Sequence, residues 1–232
     1  MRVRARFTKL GKVRWTSHRD VARMWERALR RSRMPVSYTA GFTPRPQLSF
    51  GLALPTGCES IAEYLDIVLD EPVEPAELAR RVGSMLPDGV DVVAAGAVGP
   101  GTNSLQEDVS SCTWEIQVPG VTRATLDAAI GRALDAPSLS VRRERKGREV
   151  VDDLRPSVLA LSCAGADADG LQLLAELGTR PRGVRPSELA QVLGIEFGLS
   201  RRTCQWIERD GSRWEPLMAD PTGAAVVWER AS

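Results

Sequence analysis

The sequence predicts an α+β fold made of two ferredoxin-like units in tandem, similar to RNA-recognition domains. Helical and strand periods alternate along the chain, pause at a segment rich in Gly, Ser and Asn, and then alternate again. With 232 residues, of which 43% are hydrophobic, the chain is long enough to bury a core in each unit. The expected division is a basic unit at 1–96, a linker at 97–109, a second unit at 110–214 and a tail at 215–232. The two units are expected to pack as one pseudo-symmetric body.

The first strand is predicted from strict alternation. Val3, Ala5 and Phe7 alternate with arginines, which is typical of a strand with one buried face. Its outer face is expected to be cationic. Val13 and Trp15 are expected to extend this strand as a hairpin arm.

A long amphipathic helix follows. Ser17 and Asp20 resemble a capping box, with Asp in place of the usual Glu, and predict a helix that runs to about Arg33. Trp25 is expected on its buried face. At about 100° per residue, the helical wheel places three arginines in solvent on the opposite side: Arg23, Arg27 and Arg30.

The remaining elements are predicted from the same two signals, hydrophobic periodicity and turn-forming residues. In the first unit, strands are predicted at 36–40, 47–54, 63–69 and 90–95, with a helix at 75–86. In the second unit, strands are predicted at 113–118, 139–145, 148–152, 158–164, 170–177 and 202–209, with helices at 122–134 and 186–193. Apart from one extra strand, the order in the first unit is βαββαβ, the order of ferredoxin-like domains. The second unit is expected to be of the same kind.

The charge of the chain is strongly asymmetric. Thirteen of the first fifty residues are Lys or Arg and two are acidic, so this stretch carries +11 in a chain whose total is +1. Such clustering is typical of a protein with a polyanionic partner, foremost a nucleic acid. The chain contains few lysines, so part of the arginine excess reflects composition. Composition alone does not explain the clustering.

Several classes of function lack the residues they need. Cys58, Cys112, Cys163 and Cys204 are far apart in sequence, which leaves no zinc or iron–sulfur motif, and we expect four reduced thiols. His18 is the only histidine. We therefore expect no metal site, no cofactor and no catalytic residue. Without a signal-peptide core or an apolar run long enough to span a bilayer, the protein is expected in the cytoplasm, without a membrane partner.

The candidate site is an anion-binding or nucleic-acid-binding surface at the basic end. Ser17, His18 and the helix N–H groups could hold a phosphate, and the stiff turn at 41–46 could present Arg45 between two prolines. The alternatives are a helix cap without ligand and a purely structural loop. The residues expected to contact the anion, on one concave surface, are Lys9, Lys12, Arg14, Ser17, His18, Arg19 and Arg45.

A second set of residues is expected to support this surface. Glu63 and Asp66 point to opposite faces of a strand, so they do not form a catalytic pair, and one of the acids is expected to neutralise an arginine. Asp152, Asp153 and Arg155 are expected to form an ionic hub that joins the two halves. The supporting set is Asp20, Gly41, Phe42, Pro44, Pro46, Glu59, Glu63 and Asp66.

The motifs of the first seventy residues resemble a bacterial family of radical-SAM-associated proteins of unknown function, found alone or fused behind a radical SAM domain. The matching elements are the basic strand, the SHRD helix start, the GFTPRP turn, the PTGCES loop and the EYLD strand, with VDDLRP further on. The resemblance implies a radical SAM enzyme as partner. It implies no established reaction.

A weaker resemblance concerns the scaffold of tRNA pseudouridine synthases. In those enzymes a G-R-T-D loop after a strand–helix–strand delivers the catalytic Asp, and the corresponding segment here is GFTP. Pro44 stands where the Asp would be. Because proline has no carboxylate, the resemblance implies a scaffold without that activity.

Three functions stay open at this point. The first is a non-catalytic accessory protein of a radical SAM enzyme that binds tRNA or rRNA through the basic surface. The second is a protein-interaction or substrate-carrier subunit. The third is an RNA-processing or RNA-modifying enzyme. Because the chain has few aromatics and no aromatic string typical of RNA-recognition motifs, an RNA contact is expected to depend on phosphate charge and shape rather than on base stacking.

Overall fold

The computed structural model divides the chain into two compact units. The first comprises Met1–Val109 together with Gln205–Ser232, and the second comprises Ser110–Cys204. The second unit therefore ends at Cys204, ten residues before the predicted boundary at 214, because the last half of the final long strand belongs to the first unit. The structure describes residues 1–145, 147–168, 170–218 and 226–227.

The elements are a mixture of strands and short helices, which confirms the α+β class. None of the described helices is both long and apolar enough to cross a membrane. The helices are α1 (His18–Arg31), α2 (Pro75–Gly83), α3 (Leu105–Asp108), α4 (Arg123–Asp135) and α5 (Pro186–Leu193). The strands are β1 (Arg2–Lys9), β2 (Leu48–Phe50), β3 (Glu59–Val68), β4 (Val92–Val98), β5 (Val109–Val118), β6 (Ser140–Arg145), β7 (Arg148–Asp153), β8 (Val158–Asp167), β9 (Gly170–Gly178), β10 (Ser200–Arg209), β11 (Ser212–Trp214) and β12 (Val226–Val227).

The first unit has ferredoxin-like topology. Its chain order is β1, α1, β2, β3, α2, β4, and its sheet order is β4-β1-β3-β2 with antiparallel neighbours. β12 pairs with the outer side of β4. From the second half of β10, Gln205 donates a hydrogen bond of 2.6 Å to the carbonyl oxygen of Ala62 in β3.

One face of this sheet is buried under α1 and α2. Trp25 is fully buried, and its ring lies 5.1 Å from that of Phe7 in an edge-to-face contact. Arg23, Arg27 and Arg30 are exposed, so the predicted register of α1 is confirmed. The core between sheet and helices includes Val3, Ala5, Phe7, Val21, Trp25, Ala28, Leu29, Leu65, Ile67, Leu78, Val82 and Ala95.

The other face of this sheet is also covered, so the predicted cationic outer face of β1 is wrong. Leu105 of α3 and Leu217, near the end of the chain, pack against Tyr64 on this face. Beneath them, Arg4 is 2% exposed and forms a bidentate ion pair with Asp66 at 2.7 and 2.9 Å. A charge can be buried at such depth only with a partner, and the carboxylate supplies it.

Several predicted boundaries change. A 3₁₀ helix at Gly11–Trp15 replaces the predicted hairpin arm. The predicted strand at 36–40 consists of isolated bridges, and the one at 47–54 shortens to β2. The predicted linker contains α3. The start of the predicted loose tail packs in the first unit, where Glu215 accepts hydrogen bonds from Arg6 and Tyr64, whereas residues 219–225 and 228–232 lie outside the described part.

The second unit repeats the topology of the first. Its order is β5, α4, β8, β9, α5, β10, with the β6–β7 hairpin inserted after α4, and its sheet order is β10-β5-β9-β8. The helix predicted at 186–193 matches α5. All four cysteines are free thiols, as expected. The core includes Trp114, Ile116, Val118, Leu126, Ala129, Ile130, Leu173, Ala175, Leu177, Leu189 and Leu193.

Candidate nucleic-acid interface

One side of α1 carries a row of arginines in solvent. The helix buries Trp25 against the sheet, so its opposite side is left to charged residues. Side chains four residues apart lie on the same side, about 6 Å apart along the axis. We call this row the arginine face, and all of its members are exposed: Arg19, Arg23, Arg27, Arg30 and Arg31.

The arginine face has few negative partners. Arg23 lies 3.6 Å from Asp20, and both side chains are about half exposed. Within the described part of the chain, Arg27, Arg30 and Arg31 form no salt bridge and no side-chain hydrogen bond. Like charges one turn apart destabilise a helix by roughly 0.2–0.5 kcal/mol per pair. The row therefore retains this repulsion between like charges, and its positive charge stays available to a ligand.

The start of α1 is capped from within the chain, which confirms the predicted capping box. The hydroxyl of Ser17 donates to Asp20 Oδ2 at 2.7 Å, and the backbone N–H of Asp20 donates to Ser17 Oγ at 3.2 Å. The hydrogen bond from the Ser17 hydroxyl, with that from its backbone N–H, lowers the pKa of Asp20, and Arg23 and Arg19 add to the effect. Ser17 therefore acts as a cap, and a carboxylate already occupies the end of the helix where a phosphate was expected.

Replacing Ser17 by alanine is expected to lower the free energy of unfolding by about 1 kcal/mol at neutral pH. The pKa of Asp20 should rise towards its ordinary value, which NMR titration would measure. Because the folded pKa is lowered, the contribution of this carboxylate exists above the unfolded pKa and is lost as the pH falls through the folded value. The stability difference in urea unfolding should therefore shrink in acid. Ser49→Ala, which replaces an exposed serine of β2, is the control, and an equal loss there would contradict the role of the cap.

Lys9 is not on the surface, contrary to the prediction. Its side chain is 2% exposed, and Nζ donates to the carbonyl oxygens of Thr16 at 2.8 Å and Arg14 at 3.4 Å. The guanidinium of Arg14 lies 3.6 Å from Glu59, whose carboxylate also accepts from the N–H of Gly11 at 2.8 Å. These charged groups hold the segment between β1 and α1 in place.

The acids of β3 point to opposite faces, as predicted. In the register of β1 with β3, Glu63 lies opposite Phe7 and Asp66 lies opposite Arg4. Asp66 neutralises Arg4, as expected for one of these acids. Both carboxylates are buried, so neither belongs to an exposed site.

A small cavity beneath the start of α1 is lined in part by charged and titratable residues. Lys9, His18 and Glu63 line it, and the ring of His18 lies 5.1 Å from that of Phe50. Its volume is about 10 Å³, which is room for a single water molecule. We assign no reaction to a space of this size.

The turn at 41–46 lies apart from the other predicted cations. Its base is closed by a bridge between Tyr38 and Pro46 and by a hydrogen bond from the N–H of Thr39 to the carbonyl of Arg45. This base sits beyond the Val68 end of β3, whereas Lys9 pairs at the Ser60 end, roughly 30 Å away along the strand. The predicted single concave surface containing Arg45 is therefore wrong. Gly41, Phe42, Pro44 and Arg45 are exposed, and Pro46 is half-buried.

An ionic cluster in the second unit involves the VDDLRP segment. Hydrogen bonds lower the pKa of Asp152, the one from Arg143 having the larger effect and the one from Arg182 the smaller. Asp153 accepts from the N–H groups of Leu139 and Arg155. All of these partners belong to the second unit, so the prediction that this hub joins the halves is wrong. Among the described residues, no three His, Cys, Asp or Glu side chains come together to hold a metal ion.

The sequence of this chain matches a known protein family over most of its length. A family model described as "Uncharacterized protein conserved in bacteria (DUF2344)" matches residues 2–186. The chain belongs to this family. That match covers the whole of the arginine face and most of the second unit, and its description names no activity or partner.

Outside the family model, the similarity of the DUF2344 chain to described proteins is distant. No curated protein matches it. Among solved structures, it is similar to one titled "Crystal Structure of a Cbf5-Nop10-Gar1 Complex", with 12% identity, a TM-score of 0.46 and coverage of 88% of this chain and 48% of that chain. The DUF2344 chain thus spans about half the length of that protein.

A groove beside the arginine face was not visible in the sequence. It lies between α1 and the end of α2, has a volume of about 500 Å³, and is lined by Arg27, Arg31, Met24, Met85 and Pro87 among others. The helical wheel was enough to place Arg27 in solvent. No local signal could place Met85 in the same groove as Arg27, because that proximity arises from the packing of two helices.

Proposed function

We propose that this DUF2344 protein binds structured RNA through the arginine face. The observation that carries the proposal is a row of exposed arginines on one rigid helix, of which Arg27, Arg30 and Arg31 have no carboxylate partner among the described residues. Guanidinium groups bind phosphate oxygens through paired, charge-assisted hydrogen bonds. The helix offers a preformed array of such groups.

The size and charge of the array favour a polyanion over a small anion. From Arg19 to Arg31 the row extends roughly 18 Å along the helix axis, which matches several phosphates of a nucleic-acid backbone. The first fifty residues carry +11, and the rest of the chain carries −10, which reduces non-specific attraction elsewhere on the protein. The ferredoxin-like units are also the topology of RNA-recognition domains, and this analogy of fold favours RNA over DNA.

The biological role in the proposal is that of an accessory protein. The support is the resemblance of the SHRD helix start, the GFTPRP turn and the EYLD strand to proteins associated with radical SAM enzymes. In this role the chain holds a segment of tRNA or rRNA, and the partner enzyme supplies the chemistry. If RNA binding fails, the hypothesis of a protein-interaction or substrate-carrier subunit takes its place.

The test is the salt dependence of binding to a fluorescein-labelled RNA stem–loop, followed by anisotropy. If four arginines contact phosphates, the slope of log affinity against log salt should be about −3 to −4. A DNA duplex of the same sequence should compete less well than the RNA. A slope near zero, or no binding at low salt, would contradict the proposal.

A further inference from the structure

Trp15 is an exposed aromatic at the basic end of the first unit. It ends the 3₁₀ helix at Gly11–Trp15, and 65% of its surface is in solvent. Trp25 and Trp114, in contrast, are buried in the cores of the two units. Leaving so much indole in water forgoes a large gain from apolar burial, which points to a partner for the ring.

The ring of Trp15 is held in place by its neighbours. Gly57 adopts φ +90°, and a Cβ at that position would lie 3.0 Å from Cζ3 of Trp15, so the absent side chain makes room for the indole. The N–H of Gly57 donates to the carbonyl of Arg14 at 2.9 Å, which ties the two segments together. The guanidinium of Arg14 lies 5.2 Å from the ring centroid, at cation–π distance. A ring fixed in this way loses little entropy when it binds a ligand.

Cations lie close to Trp15 in sequence and continue onto the arginine face. Lys12 and Arg19 are exposed, and Arg14 is about one-third exposed beside the ring. Proteins that bind single-stranded nucleic acids combine these two features, an aromatic surface for a base and cations for the flanking phosphates. A folded duplex buries its bases, so only an unpaired nucleotide can use the aromatic surface.

We propose that Trp15 stacks on an unpaired base at the junction between single-stranded and duplex RNA, while the arginine face contacts the adjoining duplex. This inference rests on the proposed function and adds its substrate class. It also revises the expectation, drawn from the small number of aromatics, that an RNA contact does not depend on base stacking.

The test compares two labelled RNA hairpins with the same stem, one blunt and one with a short single-stranded overhang. The full chain should bind the overhang hairpin about 5- to 100-fold more tightly. Trp15→Ala should reduce that ratio to near one without changing affinity for the blunt hairpin. Trp15→Phe, which keeps an aromatic face, should retain most of the ratio, and Trp214→Ala, another exposed tryptophan, should leave it unchanged.

The outcomes separate the two proposals. If the wild-type chain binds both hairpins and Trp15→Ala leaves their ratio unchanged, the stacking role is overturned while RNA binding by the arginine face stands. If Trp15→Ala weakens both hairpins equally, Trp15 does not distinguish an unpaired base, and stacking is again overturned. If the wild-type chain binds neither hairpin, both proposals fall. Circular dichroism of each variant checks that it folds as the wild type does.

Discussion

Replacing Asp66 by alanine is expected to lower the free energy of unfolding by about 3–5 kcal/mol. The carboxylate is 3% exposed and holds the guanidinium of Arg4, itself 2% exposed, through two hydrogen bonds. Without it, the one hydrogen bond of the buried cation to another described residue is that to the carbonyl of Pro216, at 3.1 Å. An uncompensated charge at that depth costs far more than the lost contact. Urea unfolding followed by circular dichroism measures the loss.

The matched control is another Arg–Asp pair at the surface. Asp127 lies 2.9 Å from Arg123 on α4, and both side chains are at least half exposed. Asp127→Ala is expected to change stability by no more than about 0.5 kcal/mol, because water screens exposed pairs. Equal losses in both variants would contradict the buried pair.

A double variant separates the cost of a lone charge from the value of the pair. Replacing Arg4 by methionine and Asp66 by leucine removes both charges and keeps the space filled. Buried ion pairs exchanged for apolar residues are often neutral or stabilising. The double variant is therefore expected to recover most of the stability that Asp66→Ala loses. A double variant as unstable as the single one would show that packing, rather than charge, dominates here.

Elements with local signals could be predicted from the sequence. The start of α1 follows from Ser17 and Asp20, and α5 runs from Pro186 to a turn at Gly194, which has the positive φ typical of a helix end. Hydrophobic periodicity and turn-forming residues act over a few positions, so they can be recognised without knowledge of the tertiary fold. The alternation of helices and strands was enough to predict ferredoxin-like order in each unit.

Features fixed by distant parts of the chain could not be predicted. The outer face of β1 is buried because residues near 216 return over it, a contact that spans almost the whole sequence. Lys9 is buried because the segment after it turns into a 3₁₀ helix and offers two carbonyls. Trp15 is held by Gly57, more than forty residues away. Local charge and hydrophobic periodicity do not reveal partners that are so far away in sequence.

The candidate site could be predicted only in part, because the burial of its residues also depends on distant parts of the chain. A basic N-terminal end was visible from charge counting, and the wheel placed Arg23, Arg27 and Arg30 in solvent. Of the arginine face, the predicted set of anion contacts contained only Arg19. Among the other cations of that set, Lys9 is buried and Arg45 lies elsewhere. The exposed side of α1 is a continuous row because one regular element carries it. That regularity makes the arginine face a better candidate for the anion-binding surface than the predicted set of residues.

Replacing Arg23, Arg27 and Arg30 together by glutamine is expected to weaken RNA binding on the order of 100-fold at about 0.1 M salt, and to flatten the salt slope by about two to three units. In the proposed complex each arginine would neutralise one phosphate and release the counterions bound there. Glutamine keeps a long polar side chain and a high helix propensity, so α1 should stay folded. Anisotropy titrations with the labelled stem–loop at several salt concentrations measure both quantities.

The matched control removes the same charge from the second unit. Arg123, Arg142 and Arg148 are exposed, and the first two already pair with carboxylates, so their change to glutamine lowers net charge without touching the arginine face. Because none of these three arginines belongs to the arginine face, this variant should keep its salt slope and nearly all its affinity. Equal weakening by both triple variants would mean that RNA responds only to net charge. An unchanged affinity in the α1 variant would remove the arginine face from the interface and favour a protein partner.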